Sequence, residues 1–251
     1  IGNYYQNPPE IYLSVNKNDL TSVRNFQQSF TLEHIFFKDT KFSFSIYNKD
    51  YSNAPILKPD TNYIDPIFLM DQLIMYDGIV SKGKANSQGI EILIQKKRAE
   101  KFYGLIGGTY FNSLFKDYNG DEWNRNYNYK YIFNIVGGYR PNDQWEISVR
   151  WSLFGGKPYT PINETASSLF GKQVLYLDNF NGKKTPEYHS LFIRFERRFN
   201  LKRSNLISYI ELWNAYNREN IETIFWSEEL NEIAKETYFD FIPVGGFELE
   251  F

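Results

Sequence analysis

The sequence contains no cysteine. Disulfide staples, thiolate metal sites and thiol catalysis are therefore excluded, and the redox compartment is left open. Histidine is nearly absent too, with two copies in 251 residues. No run approaches the roughly 18 uncharged apolar residues that a spanning helix needs. Neither sign of charge dominates: 28 basic residues face 30 acidic ones, a net charge of -2. The basic footprint of a nucleic-acid binder is missing, so no nucleic acid is expected as a partner. No His-Glu-Xaa-Xaa-His, P-loop or nucleophile elbow occurs, so the residues offer neither a catalytic site nor a cofactor site. The chain opens on Ile1, without a Met or a signal-like segment, and is expected to continue upstream.

What the sequence has in abundance is aromatic: 20 Tyr, 22 Phe and 5 Trp, 19% of the chain, at a mean hydropathy of -0.52. Chains too polar to collapse are poor in such residues, so disorder is excluded. The pattern has period two. Between Gln144 and Phe154, Trp145, Ile147, Val149, Trp151 and Leu153 alternate with Glu146, Ser148, Arg150 and Ser152. That is a strand with one apolar and one polar side. Phe42, Phe44 and Ile46 repeat it, as do Leu191, Ile193 and Phe195, and at the end Phe247, Leu249 and Phe251.

Counting such runs predicts about nine strands, near 26–38, 41–51, 86–97, 101–114, 128–140, 144–155, 188–199, 205–217 and 240–251, with the tip of a tenth at Asn3 to Gln6. Glu228 to Thr237 is the best helical candidate. Connections alternate between short (Asp39-Thr40, Arg98 to Glu100, Pro141 to Asp143, Asn200 to Ser204) and long (Ser52 to Ala85, Phe115 to Tyr127, Gly156 to Glu187, Arg218 to Phe239). Short turns on one side and long loops on the other are the habit of outer-membrane barrels.

Charge on the polar faces decides which solvent meets which side. Glu91, Glu146, Arg150, Arg194, Glu196 and Glu211 are too many ions for a dry interior, where each costs several kcal/mol of desolvation. Facing a watery lumen they cost little. These six are the lumen-facing candidates, with apolar flanks toward lipid and aromatics partly serving as interfacial girdles. Arg150 and Arg194 either guide an anionic ligand or pair with Glu146, Glu196 or carboxylates elsewhere. The loop Asp117 to Glu122 carries three carboxylates without full calcium-loop spacing and reads as a solvated tip. His34 and His189 fall on strands that are not neighbours. Glycines at 107–108 and 137–138 lie inside strands and mark bends or close strand contacts.

Five strings resemble TonB-dependent outer-membrane receptors: Gly2-Asn3-Tyr4-Tyr5-Gln6-Asn7-Pro8-Pro9, Gly83 to Glu91, Gly155-Gly156-Lys157-Pro158-Tyr159-Thr160-Pro161, Glu211 to Asn220, and Phe241 to Phe251. They occur in family order. The resemblance implies that residues 1–251 are the C-terminal portion of an antiparallel up-and-down transmembrane β-barrel of about 22 strands, without its plug and its earlier strands. It further implies residence in the bacterial outer membrane, in contact with its lipid. The implied role is TonB-dependent uptake of a scarce ligand, with siderophore, haem, cobalamin and glycan left open. Phe251 then resembles the terminal signal for the barrel-assembly machinery, and the TonB complex acts through the missing plug. The alternative is a self-contained ten-stranded outer-membrane protease or lipase; a soluble β-sandwich binding module is a third reading.

Overall fold

A computed structural model of the chain describes residues 5–6, 20–37, 39–58, 79–97 and 101–250. Among these, nine strands of nine or more residues form one antiparallel meander. They are β2 (Val23–Phe36), β3 (Thr40–Leu57), β4 (Ile79–Lys96), β5 (Phe102–Lys116), β7 (Tyr131–Asn142), β8 (Trp145–Phe154), β11 (Tyr188–Asn200), β12 (Asn205–Trp213) and β15 (Ile242–Glu250). Each pairs with the next in that order, and a short β1 (Tyr5–Gln6) pairs with β2 through Tyr5↔Arg24. The expected strands are thus present. β3 and β4 are longer than the apolar alternation suggests. Their outward residues turn polar beyond Ile46 and Ile90, yet backbone pairing continues through Tyr51↔Ala85 to Leu57↔Ile79.

The short turns fall at one end of the sheet and the long connections at the other. The long ones carry structure of their own: β6 (Glu122–Asn124) on β5, a two-stranded pair of β9 (Pro158–Tyr159) and β10 (Lys183–Lys184), and a hairpin of β13 (Ile221–Ser227) and β14 (Glu232–Thr237). That hairpin corrects the expected helix at Glu228 to Thr237. Asn231 adopts φ 52°, the left-handed conformation that turns a chain, and Glu232 to Thr237 then pair back onto Ser227 to Ile221. The α-helix among the described residues is α1 (Glu164–Phe170), capped by Asn163, whose side chain accepts from Ala166 N, and closed by Gly171 at φ 63°. No helix among them is long and apolar enough to cross a membrane, which says nothing about strands.

Register assigns every side chain to one of two faces. Large apolar residues line one of them and are exposed along its length: Phe30 on β2, Ile92 on β4, Ile106 on β5, Ile147 and Val149 on β8, Phe195 on β11, Ile210 on β12 and Phe247 on β15. Phe247 is 79% exposed. An apolar sheet face this continuous and this open lies far outside what a water-soluble surface carries. Aromatics collect on it near the short turns. His34 and Phe36 meet edge-on at 4.3 Å, and Phe102 stacks on Tyr139 at 4.4 Å. Arg197 lies 5.0 Å from the Trp145 ring centroid.

Candidate functional site

The opposite face is polar, and the six charged candidates all lie on it. Glu146 is opposite Glu196, Ser148 opposite Arg194, and Arg194 opposite Glu211, so β8, β11 and β12 place their charges side by side. Arg150 follows two residues along β8. Glu91 stands apart on β4, reached by the pairs Glu91↔Thr109, Thr109↔Ile132 and Ile132↔Phe154.

Within the cluster, Arg194 donates to Glu196 at 3.0 Å and lies 3.8 Å from Glu211, with its guanidinium 3.8 Å above the Tyr209 ring. The expected pairing of Arg194 with Glu196 is present. Glu146 has different partners from those the spacing suggested: Tyr103 from β5 donates its hydroxyl, and Arg140 at the end of β7 supplies the cation. The residue is only 9% exposed, so both partners offset its desolvation. Arg150 instead rests 4.1 Å above the Phe192 ring. Among the described residues it has no carboxylate partner.

Tyr103 reaches Glu146 because the intervening Gly138 has no side chain. A Cβ there would overlap the Tyr103 ring, and one at Gly246 would stand 2.7 Å from the Tyr209 hydroxyl. Both pairs are directly opposed across the ladder. Thus the glycines expected to allow close strand contact at 137–138 do so at Gly138.

Toward the long loops the polar face closes into a recess of about 440 Å³. Tyr47, Lys49 and Tyr51 from β3 form one wall. Arg125, Tyr127 and Tyr129, from the connection between β6 and β7, form the other. Lys49 lies 5.2 Å from the Tyr47 ring centroid, and Arg125 5.7 Å from that of Tyr51. Burial holds the Tyr129 phenol above its ordinary value, with the neighbouring Tyr238 and Tyr127 adding to the shift. A recess of phenol rings and two cations suits an anionic ligand with flat aromatic groups. Nothing in the residue order announced it. The one available signal was the run Asn124-Arg125-Asn126-Tyr127-Asn128-Tyr129-Lys130-Tyr131, too aromatic for an idle loop.

Side-chain amides hold this rim in place. Asn128 is fully buried, donating to Asn112 and Asn124 and accepting from Ser113 N. Asn181, from the connection between β8 and β11, exchanges bonds with Asn124 and donates to Asn126. Its neighbour Phe180 enters an apolar cluster with Ala54, Ile56, Ala85 and Phe115. Asp117 caps its own turn, accepting from Asn119 N, Asp121 N and Trp123 Nε1, and so serves the loop's shape. The histidines stay apart. His34 is on the apolar face, and His189 shares a 2.7 Å bond with the Tyr216 hydroxyl. Phe251 and residues 59–78 of the long connection Ser52 to Ala85 lie outside the described residues.

No protein-family model and no curated protein matches the sequence. Solved structures do. The chain is similar to the pyoverdine outer-membrane receptor FpvA of Pseudomonas aeruginosa bound to pyoverdine, at 11% identity and a TM-score of 0.68, over 99% of this chain and 32% of that one. It is similar to the ferric-catecholate import receptor Fiu of E. coli K12, at 13% identity and a TM-score of 0.64, over 94% of this chain and 29% of that one. A third is the FrpB iron transporter of Neisseria meningitidis, at 10% identity and a TM-score of 0.58, over 92% of this chain and 32% of that one. The chain thus spans under a third of the length of each. Its nine-stranded meander has the fold of part of an outer-membrane receptor's β-barrel.

Proposed function

We propose that residues 1–251 form the C-terminal part of the barrel of a TonB-dependent receptor in the bacterial outer membrane, importing an iron chelate. The observation that carries this reading is the apolar face of the sheet, exposed on β2, β3, β4, β5, β8, β11, β12 and β15, backed by a face with paired ions. Such a sheet is stable only with lipid on one side and water on the other. The similarity to three iron-related receptors, over nearly the whole chain, supports the transport class. The aromatic and cationic recess beside Tyr129 and Arg125 narrows the ligand to an anionic chelate with aromatic groups.

In this reading Glu91, Glu146, Arg150, Arg194, Glu196 and Glu211 line the lumen. Arg150 is the charge most available to a passing anion, whereas Glu146 and Arg194 hold the wall together. Phe251 is the mark read by the assembly machinery. The chain supplies wall and loops; TonB engages the region upstream of it, and this segment alone does not transport.

The test is uptake of radiolabelled iron chelates by iron-starved cells with and without the full-length gene. The expected result is loss of uptake of one chelate class in the deletion, restored by the full-length gene and abolished by an uncoupler. Uptake insensitive to the uncoupler, or unchanged by deletion for every chelate tried, contradicts the proposal.

A further inference from the structure

The sequence holds two Asn-Gly pairs, Asn119-Gly120 and Asn181-Gly182. Such a pair is chemically labile, because glycine leaves its own amide nitrogen unshielded beside the asparagine carboxamide. The fold treats the two pairs oppositely.

Asn119 and Gly120 are the exposed tip of the loop between β5 and β6. Gly120 N donates to Asp117 O across a long 3.2 Å, and Gly120 adopts φ 93°, a conformation open to glycine. A Cβ on Gly120 would meet nothing within 4 Å. The Asp117 carboxylate is occupied by the main-chain amides of Asn119 and Asp121 and by the Trp123 indole, and Glu122 pairs with Lys116 at 3.1 Å. The Asn119 carboxamide itself has no partner among the described residues. Its Cγ is free to swing onto the neighbouring nitrogen.

The second pair is locked. Asn181 is 4% exposed, and its carboxamide donates to Asn124 O at 2.9 Å and to Asn126 Oδ1 at 2.8 Å. Gly182 N donates to Asn179 O at 3.0 Å. The Asn179 side chain lies so close over Gly182 that a Cβ there would overlap it. Attack within this pair requires those bonds to break first.

We propose that Asn119 is a site of spontaneous covalent modification, cyclising onto Gly120, and that the fold protects Asn181 from the same reaction. Gly120 N gives up its proton to hydroxide and forms a bond to Asn119 Cγ. The Cγ–Nδ2 bond breaks, and the nitrogen leaves as ammonia after taking a proton from water. One further water opens the five-membered imide, at one carbonyl to aspartate and at the other to isoaspartate. In sum, one amide and one water become one carboxylic acid and one ammonia. The product adds a carboxylate beside Asp117 and Asp121. The isoaspartate form also lengthens the main chain by one carbon within the turn that leads into β6. The reaction needs only the turn and water, so it holds whichever ligand the tyrosine recess takes.

The experiment ages the full-length protein, folded in detergent micelles, in mildly alkaline buffer made with water enriched in heavy oxygen. Peptide mass spectrometry follows both sites, and a denatured sample supplies the intrinsic rate of each pair. Sampling runs until half of the denatured sample's Asn119 has converted. The folded-to-denatured rate ratio at Asn119 should exceed that at Asn181 by roughly tenfold or more, because the bonds of the Asn181 carboxamide must break before it can cyclise. The Asn119 product should carry heavy oxygen and include isoaspartate, read by enzymatic methylation of that residue. Equal ratios at the two sites, or an Asn119 that stays an amide in the folded protein, overturn the proposal. Conversion of Asn119 to aspartate alone, without isoaspartate, overturns the imide route.

Discussion

The ring of Phe180 meets that of Phe115 edge-on, with centroids 5.9 Å apart. One residue is in the connection between β8 and β11, the other on β5. Phe115 is almost wholly buried, so this contact fastens a long loop to the sheet wall and steadies the rim of the tyrosine recess. Phe180→Ala should open a cavity worth about 3 kcal/mol locally. Limited proteolysis should then cut between residues 155 and 187 much faster, while heat-modifiable migration of the barrel is unchanged. Equal cutting rates would mean that Asn181 and its amide partners hold the loop without the ring.

Glu146 and Arg140 should be strongly coupled. Arg140→Met leaves a mostly buried carboxylate with Tyr103 as its remaining partner, at a cost of about 3 kcal/mol. Glu146→Gln should cost less, because the neutral amide can still accept from Tyr103. A double-mutant cycle read by urea unfolding from vesicles should show the double variant less destabilised than the sum. Additive losses would contradict the pairing.

Adjacent glycines should respond oppositely. A Cβ on Gly138 collides with the Tyr103 ring, whereas one on Gly137 meets the Tyr103 carbonyl at 3.4 Å, an ordinary contact. Gly138→Ala should destabilise by about 2 kcal/mol. Gly137→Ala should be neutral or slightly stabilising, because it removes freedom from the unfolded chain. Similar losses at both positions, in the same unfolding assay, would contradict the placement of Tyr103 over Gly138.

Alternation made the strands legible because a barrel wall has one side in each solvent. From Trp145 to Phe154 the pattern is unbroken, and the strand begins and ends as expected. The pattern failed at residues 52–57 and 79–85. These still pair, through Ala54↔Gly83 to Leu57↔Ile79, but across irregular register that breaks the alternation. It failed again at Asn231, where a left-handed turn converts a helix-like stretch into a hairpin. Partner choice was beyond reach for another reason. Glu146 finds Tyr103 and Arg140 only because of the register across three strands, and the recess needs Tyr47 and Tyr129 to meet from positions far apart in sequence.

Asp39, in the turn between β2 and β3, is held below its ordinary value of 3.8, first by its bond from Lys96 and then by that from Thr40. A lowered carboxylate contributes stability that is complete above its unfolded value and fades as pH falls through the folded one. The wild type's advantage over Asp39→Asn should therefore be constant from neutral pH to about pH 4 and shrink below it. The comparison is unfolding midpoints of the two proteins across that range. An advantage that grows on acidification would contradict the Lys96 pairing.

Residues 1–251 hold no cysteine, so a single cysteine placed in this part of the wall meets no competing thiol within it. Ile147→Cys and Ser148→Cys, made separately in the full-length protein in native membranes, differ only in which face of β8 they occupy. Cys at 148 should react with a small charged thiol reagent, while Cys at 147 is protected from it and, once labelled, is quenched by a lipid-soluble agent. The reverse pattern, with 147 open to water and 148 in contact with lipid, would contradict it.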